Sequence, residues 1–438
     1  MLSLVLDHTQ RGTARKSLRY ALFDGDRGVA RSDLKHRLGP NRAPRSRRPY
    51  RYLALAPYAK HGGFGPETVM RQRRELPVEA ISDKIAPAHL VSTTKSSLKQ
   101  RVTLMASRKS STSSKRKGKR PPRDKLLWMY RTMMRIRRFE ESAEDAFKNA
   151  RMRGALHFYI GEEATATGMC ADLRTDDYIT STHRGHGHCI AKGGQLNKMM
   201  AELYGRVTGY CGGKGGSMHI ADLDIGILGA NGIVGAGIPI AAGAGLGVKL
   251  GGEDRVVVCF FGDGAGPTGA FHEGVNFAAV KDLPVIFVCE NNHYGMATKA
   301  TNSNAGPSIA ARADSYGIHG AKVDGNDVFA VYDIAREAID RTRNGGGPTL
   351  IEADTYRYKG HTVHDMAAYR AKKELEDWLK KDPIERFKKT VLAEKLLDAE
   401  DLTGIDGEIE REVVDAVEFA EASPFPALDA IEQGVYAD

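Results

Sequence analysis

Residues 255–292, RVVVCFFGDGAGPTGAFHEGVNFAAVKDLPVIFVCENN, limit what this chain can fold into more than any other stretch. Two apolar runs, 256–261 and 283–289, are dense in β-branched and aromatic residues and show no polar alternation. A strand with one wet face alternates; a strand that is apolar throughout is covered on both faces, as in parallel sheets flanked by helices. Between the runs, AFHEGVNFAAVKD reads as a helix, and PTLIEADTYRY after VFAVYDIAREAIDRTRNGGG repeats the helix-then-strand order. The expected fold class is α/β, three layers built on a mostly parallel, doubly wound sheet. Ligands of such sheets sit beyond the carboxyl ends of the strands, where the unusual residues of this chain fall.

Asp263 follows the first run directly, between Gly262 and Gly264. Small residues let a backbone approach a phosphate, and the helix that follows offers free N–H groups to it. The second run closes on Glu290, Asn291 and Asn292. An aspartate and an asparagine at neighbouring strand ends, with loop carbonyls and phosphate oxygens, make an all-oxygen shell suited to Mg2+. Either piece alone is compatible with an ordinary strand-end turn; GDG followed by NN at this separation matches the fingerprint of thiamin diphosphate sites. The stretch TSTHRGHGH at 180–188 invites a competing metal reading. On an extended strand the imidazoles of His186 and His188 would share one face. The oxygen ligands at Asp263 and Asn292 make the better ion site. His186 and His188 are therefore left to supporting or structural roles.

From about residue 124 to the C-terminus the chain resembles the α subunit of the E1 component of 2-oxo acid dehydrogenase complexes, the pyruvate and acetoin dehydrogenase type. The residues that carry this are GALHFYIGEEA, STHRGHGHCIAKG, YCGGKGGSMHI, GANGIVGAGIPIAAGAGL, the GDG…NN block followed by HYGMAT, and YRYKGH, in the family's order. The resemblance implies a thiamin diphosphate-binding fold. It implies that Asp263, Asn292 and the carbonyl of Tyr294 hold Mg2+, bridging the two phosphates of the cofactor. Gly264 and Ala265 would give backbone contacts to the diphosphate, and Arg184 would reach a phosphate as a fixed-charge fork donor. Gly232 and Val234 would meet the aminopyrimidine, the valine wedging the cofactor into its bent conformation. His157 and His361 match the family's active-site histidines, and imidazole exchanges protons near neutrality.

Three departures bear on the substrate. His183 stands where pyruvate-type subunits commonly carry a tyrosine, so an imidazole replaces a phenol beside the cofactor. STHRGHGHCIAKG with GGSMHIADLD looks closer to the acetoin type, or to unassigned bacterial relatives. After His361 the chain runs HTVHDMAAYR, without the family's usual proline, which leaves loop rigidity and the choice among pyruvate, acetoin and branched 2-oxo acids open. Thr362 occupies the place of a regulatory serine in mitochondrial relatives, and one hydroxyl there supports no modification.

Thiamin enzymes need two modules, one for the diphosphate and one supplying a glutamate to the aminopyrimidine. Only the first is evident in residues 123–438; Glu162 and Glu163 occupy positions that the family uses for its fold. The resemblance therefore implies an E1 β partner in an α2β2 heterotetramer, a site between chains, and a lipoyl-bearing E2 acyltransferase as acceptor. A homodimeric thiamin decarboxylase is disfavoured by the missing module.

The formal charge of +9 belongs to one end. Residues 1–122 hold 28 Lys and Arg against 8 Asp and Glu, leaving 36 against 47 for residues 123–438. The N-terminal segment, with RLGPNRAPRSRRPYR and SRKSSTSSKRKGKRPPRDK, lacks periodicity and is expected to be a disordered extension. A true start at Met105 is the favoured explanation of it. A basic arm for nucleic acid on a vestigial enzyme body is the alternative from another class, and the acidic balance of residues 123–438 argues against nucleic acid as a partner of that part. No apolar run reaches the roughly 18 residues that span a bilayer, and MLSLVLDHTQRG has no charged lead-in of a secretory signal. Five dispersed cysteines without CxxC spacing point to a reducing, cytoplasmic location.

Overall fold

A computed structural model of the chain describes residues 120–152 and 154–433. The extension and the alternative start at Met105 fall outside the described residues, apart from positions 120–122. Helix α1, Arg123–Lys148, opens the body after Pro122, whose extended backbone cannot continue a helix upstream. Its buried residues Leu126, Met129, Tyr130, Met133, Ile136, Phe139 and Ala143 recur every three or four positions, the period of one helix face. Helices α2 (Glu163–Cys170), α3 (His186–Ala191), α4 (Leu196–Leu203), α5 (Gly237–Gly251) and α6 (Gly269–Val280) follow. Then come α7 (Val328–Arg343), α8 (Lys372–Leu379), α9 (Pro383–Ala393) and α10 (Ala399–Ala422).

The main sheet contains β1 (Tyr178–Thr180), β2 (Val257–Gly262), β3 (Val285–Asn291), β6 (His319–Asp324) and β7 (Thr349–Asp354). A small antiparallel hairpin supplies β4 (Tyr294–Gly295) and β5 (Thr298–Lys299). The order is β1-β2-β3-β7-β6, with every neighbouring pair parallel. Alternate side chains of the continuous apolar strands go to opposite faces. Val258, Phe260, Ile286, Val288 and Ile351 join the core formed with α1, α2 and α7. Val257, Cys259, Phe261, Val285, Phe287 and Leu350 join a second core with α5 and α6. The result is the expected three-layer α/β architecture, and the apolar runs are continuous because neither face is wet. Helix α5 lies close to the sheet because Gly245 is small: a Cβ there would stand 2.6 Å from a methyl of Val285.

Helix α10 lies along α1 and begins with a capping box between Asp398 and Asp401. Arg131–Glu408 and Arg135–Glu412 pair across the two helices at 2.7 Å. Such partly exposed pairs contribute on the order of 0–1 kcal/mol each, so the packing is held by the apolar stripe of α1 against Ile405, Ile409 and Val413.

Candidate functional site

Strands β1, β2 and β3 end side by side, and their registers place Gly262 opposite Glu290. Beyond these ends lies a cavity of about 380 Å³, within the size range of small-molecule sites. Every loop that leaves the carboxyl edge there contributes to its wall: Ser181 to Arg184 after β1, Gly262 to Ala265 after β2, and Glu290 and Asn292 after β3. Tyr294 and Gly295 of the hairpin, Ile233 and Val234, and His361 complete it.

Asp263 is buried in a 3-10 turn, Asp263–Ala265, directly after β2. Its Oδ2 has no hydrogen-bond partner, and burial pushes the carboxyl up to about 6. A buried carboxylate oxygen without a partner is costly, so this place is suited to a cation. Asn292 donates from Nδ2 to Glu162 Oε1 at 3.1 Å, while its Oδ1 accepts the Tyr294 N–H at 3.3 Å. Asp263, Asn292 and Tyr294 stand on one cavity wall, and the carboxylate and the amide oxygen are donors that fit Mg2+ rather than a thiolate- or imidazole-seeking metal. The sequence suggested that the helix after GDG would offer free N–H groups. Instead α6 begins later, at Gly269, and Thr268 Oγ1 caps it by accepting from Phe271 N–H. The backbone that meets the cavity is that of the 3-10 turn, including Gly264 and Ala265.

His157, His183 and His361 converge, with ring centroids 4.7, 5.0 and 5.3 Å apart. Burial lowers them to about 3, 2 and 4 respectively, with the Arg184 charge as the next cause. All three are therefore neutral at physiological pH, able to donate at one nitrogen and accept at the other. Their ligand atoms lie within 4.8 Å of one another. The guanidiniums of Arg184 and Arg357 act on the cluster, and they oppose a divalent ion. That positive field favours a polar or anionic organic group over a metal. Arg184 itself is buried and lowered to about 10 by burial and by Arg357, so it stays charged. It donates to the carbonyls of Phe158 and His361, joining the loops that carry two of the three histidines.

The extended-strand picture of TSTHRGHGH is corrected. Strand β1 stops at Thr180 and His186 opens helix α3. Two residues apart on a helix point roughly 200° from one another, so His186 and His188 take different partners. His188 bridges Ser181 Oγ (2.8 Å) and Glu290 Oε1 (3.0 Å) and stacks on Phe260. His186 lies 2.9 Å from Ser217 Oγ and 3.2 Å from Glu140. The Tyr159 hydroxyl donates to Glu290 and its N–H to Glu140. Gly187 makes this convergence possible, since a Cβ there would stand 2.2 Å from the Tyr159 ring.

Of the residues expected in the site, His183, Arg184, Val234, Asp263, Gly264, Ala265, Asn292, Tyr294 and His361 line the cavity. His157 abuts it through the histidine cluster. Gly232 is not on the wall; it lies near His219, whose Nε2 would be 3.6 Å from a Cβ at that position. The loop after His361 is held without its proline. Asp365 accepts from the N–H of His361 (2.6 Å), the N–H of Ala367 (2.8 Å) and the Tyr369 hydroxyl (2.7 Å). Glu162 and Glu290 line the cavity and were not expected there. The sequence signal for Glu162 was the adjacent pair of acids in GEEA, both of which were assigned to the fold.

Comparison with known proteins follows the same line. Residues 131–429 match the dehydrogenase E1 component family. The chain is 51% identical over 323 residues to the α subunit of acetoin:2,6-dichlorophenolindophenol oxidoreductase of Bacillus subtilis, covering 74% of this chain and 96% of that protein. It is 46% identical over 318 residues to the protein of the same name from Cupriavidus necator, covering 72% and 96%. The pyruvate dehydrogenase E1 component subunit alpha of Porphyra purpurea is 39% identical over 321 residues, covering 72% and 93%.

Proposed function

Because the chain belongs to the dehydrogenase E1 component family, as the α component of a thiamin-dependent 2-oxo acid or acetoin dehydrogenase complex, we propose that it binds thiamin diphosphate through Mg2+ and acts on acetoin. It is an oxidoreductase subunit, and the acceptor is a lipoyl group on an E2 acyltransferase. The observation that carries the acetoin reading is His183. It stands in a cluster of three neutral imidazoles at the cavity, where pyruvate-type subunits commonly place a phenol. Acetoin is uncharged and presents a ketone and a hydroxyl, and neutral imidazoles can donate to the first and accept from the second. Relatives named for acetoin at 51% and 46% identity support the same choice. Pyruvate is the second reading, favoured by the positive field of Arg184 and Arg357 on the cluster.

When bound, the thiamin group supplies a carbanion nucleophile and then an electron sink for the two-carbon unit. This chain's part is positional. Asp263, Asn292 and the Tyr294 carbonyl hold the ion, Arg184 and the turn at Gly264 and Ala265 hold the diphosphate, and His157, His183 and His361 orient the substrate.

The aminopyrimidine side needs a β partner. Ile233 and Val234 stand 72% and 51% exposed at the cavity wall, and Ile240, Leu250, Phe277 and Val280 on α5 and α6 are exposed as well. Apolar exposure of this kind marks protein interfaces. We also place the protein in the cytoplasm, in keeping with five free cysteines, four of them buried.

Reduction of 2,6-dichlorophenolindophenol by the chain with its β partner tests the reading. Acetoin is expected to exceed pyruvate and branched 2-oxo acids by at least ~10-fold in kcat/KM, the equivalent of about 1.4 kcal/mol. The chain alone is expected to be inactive. A preference for pyruvate replaces the substrate, and turnover without the partner contradicts the two-chain site.

A further inference from the structure

We infer that Glu162 is a positioning residue of the ion site, holding the Asn292 side chain so that its amide oxygen faces the metal. The inference rests on the assignment of Asn292 as an ion ligand. Glu162 and Glu163 are adjacent, and both are buried, yet they do different things. Glu163 is paired with Arg137 at 2.6 Å and accepts the Gly161 N–H at 3.0 Å. Those two bonds satisfy a buried acid inside the fold. Glu162 stands at the N-terminal boundary of α2 but makes no capping bond with its side chain. It turns instead into the cavity wall.

There Oε1 accepts from Asn292 Nδ2 at 3.1 Å, and Arg184 Nε lies 3.9 Å away. Oε2 has no hydrogen-bond partner. A buried acid with one neutral donor and a distant guanidinium is poorly paired and adds little to stability. Its geometry accounts for it better. An asparagine amide has a donating end and an accepting end, and an accepting carboxyl oxygen takes the donating end. Glu162 therefore leaves Oδ1 as the end of Asn292 that can bind a cation. Because Arg184 stands beside the same carboxylate, Glu162 also keeps the phosphate grip in step with the ion ligand. Groups that orient metal ligands in this way change metal affinity by about 10- to 100-fold when removed.

The test uses the full chain with its β partner and Mn2+ as the probe, read by electron paramagnetic resonance with saturating thiamin diphosphate. Glu162→Ala is expected to weaken Mn2+ about 10- to 100-fold, with the ligand-free melting temperature at or above that of the parent. Glu162→Gln keeps an accepting carbonyl and is expected to restore affinity to within about threefold of the parent. Parent-like Mn2+ binding by Glu162→Ala overturns the inference, as does a Glu162→Gln variant as weak as the alanine. If Glu162→Ala fails to fold, Asn292→Asp decides. Alone, it sets two acids together and weakens Mn2+; combined with Glu162→Gln, the new amide can donate to the new carboxylate and at least ~10-fold should return. No recovery overturns the contact. If the parent binds Mn2+ no better than Asp263→Ala does, the ion-site assignment itself has failed.

Discussion

Asp263→Ala abolishes Mg2+-dependent binding of thiamin diphosphate, a loss of at least ~100-fold, since removing a ligand costs no less than disturbing the groups around one. The same substitution leaves the ligand-free protein as stable as the parent or more so. Both halves follow from one observation: Asp263 is 1% exposed, and its Oδ2 accepts no hydrogen bond. Alanine removes a desolvated acid that stabilises little else, whereas a structural aspartate would take the fold down with it. Calorimetry of cofactor binding and a melting curve without ligand together check the prediction. Lowered ligand-free stability with unchanged cofactor affinity would make Asp263 a structural residue.

Arg184→Met has the opposite signature. Its guanidinium donates to the carbonyls of Phe158 and His361 and stands 3.9 Å from Glu162. Methionine strips donors from two carbonyls. The ligand-free protein should lose about 2–4 kcal/mol, measured by chemical denaturation. Cofactor affinity should fall about 10- to 100-fold, the worth of one lost charged hydrogen bond to phosphate. The variant also unties the His361 loop from the segment bearing His157, so the histidine cluster loosens. Parent-like stability would show that Arg184 does not join these loops.

What was legible in the sequence follows from burial. The runs 256–261 and 283–289 announced β2 and β3 because parallel strands covered on both sides contain no polar residue to blur the signal. Strand β6, HGAKVD, lies at the sheet edge with His319, Gly320, Lys322 and Asp324 wet or half-wet, and nothing in its pattern separates it from a loop. Strand β1 has three residues, too few to show a period. Asp263 and Asn292 were found because strand-end ligands follow their strands directly.

The partners of the histidines were not legible. Glu290 lies 102 positions beyond His188, and only the β3 register delivers it. The place of Glu162 on the cavity wall was hidden for a related reason. Two adjacent acids look alike in sequence, and the position of Arg137 on α1 decides which is bound into the fold. Those contacts are set by packing across layers, which local spacing does not encode.

The central claim is that the strand-end cavity binds thiamin diphosphate through an ion on Asp263 and Asn292. Calorimetric titration of thiamin diphosphate into the full chain with its β partner tests it most directly, once with Mg2+ and once with a chelator. The account predicts one cofactor per chain with Mg2+, none in the chelator, and none for Asp263→Ala. Binding that survives removal of the metal, or no binding with metal and partner both present, would contradict it.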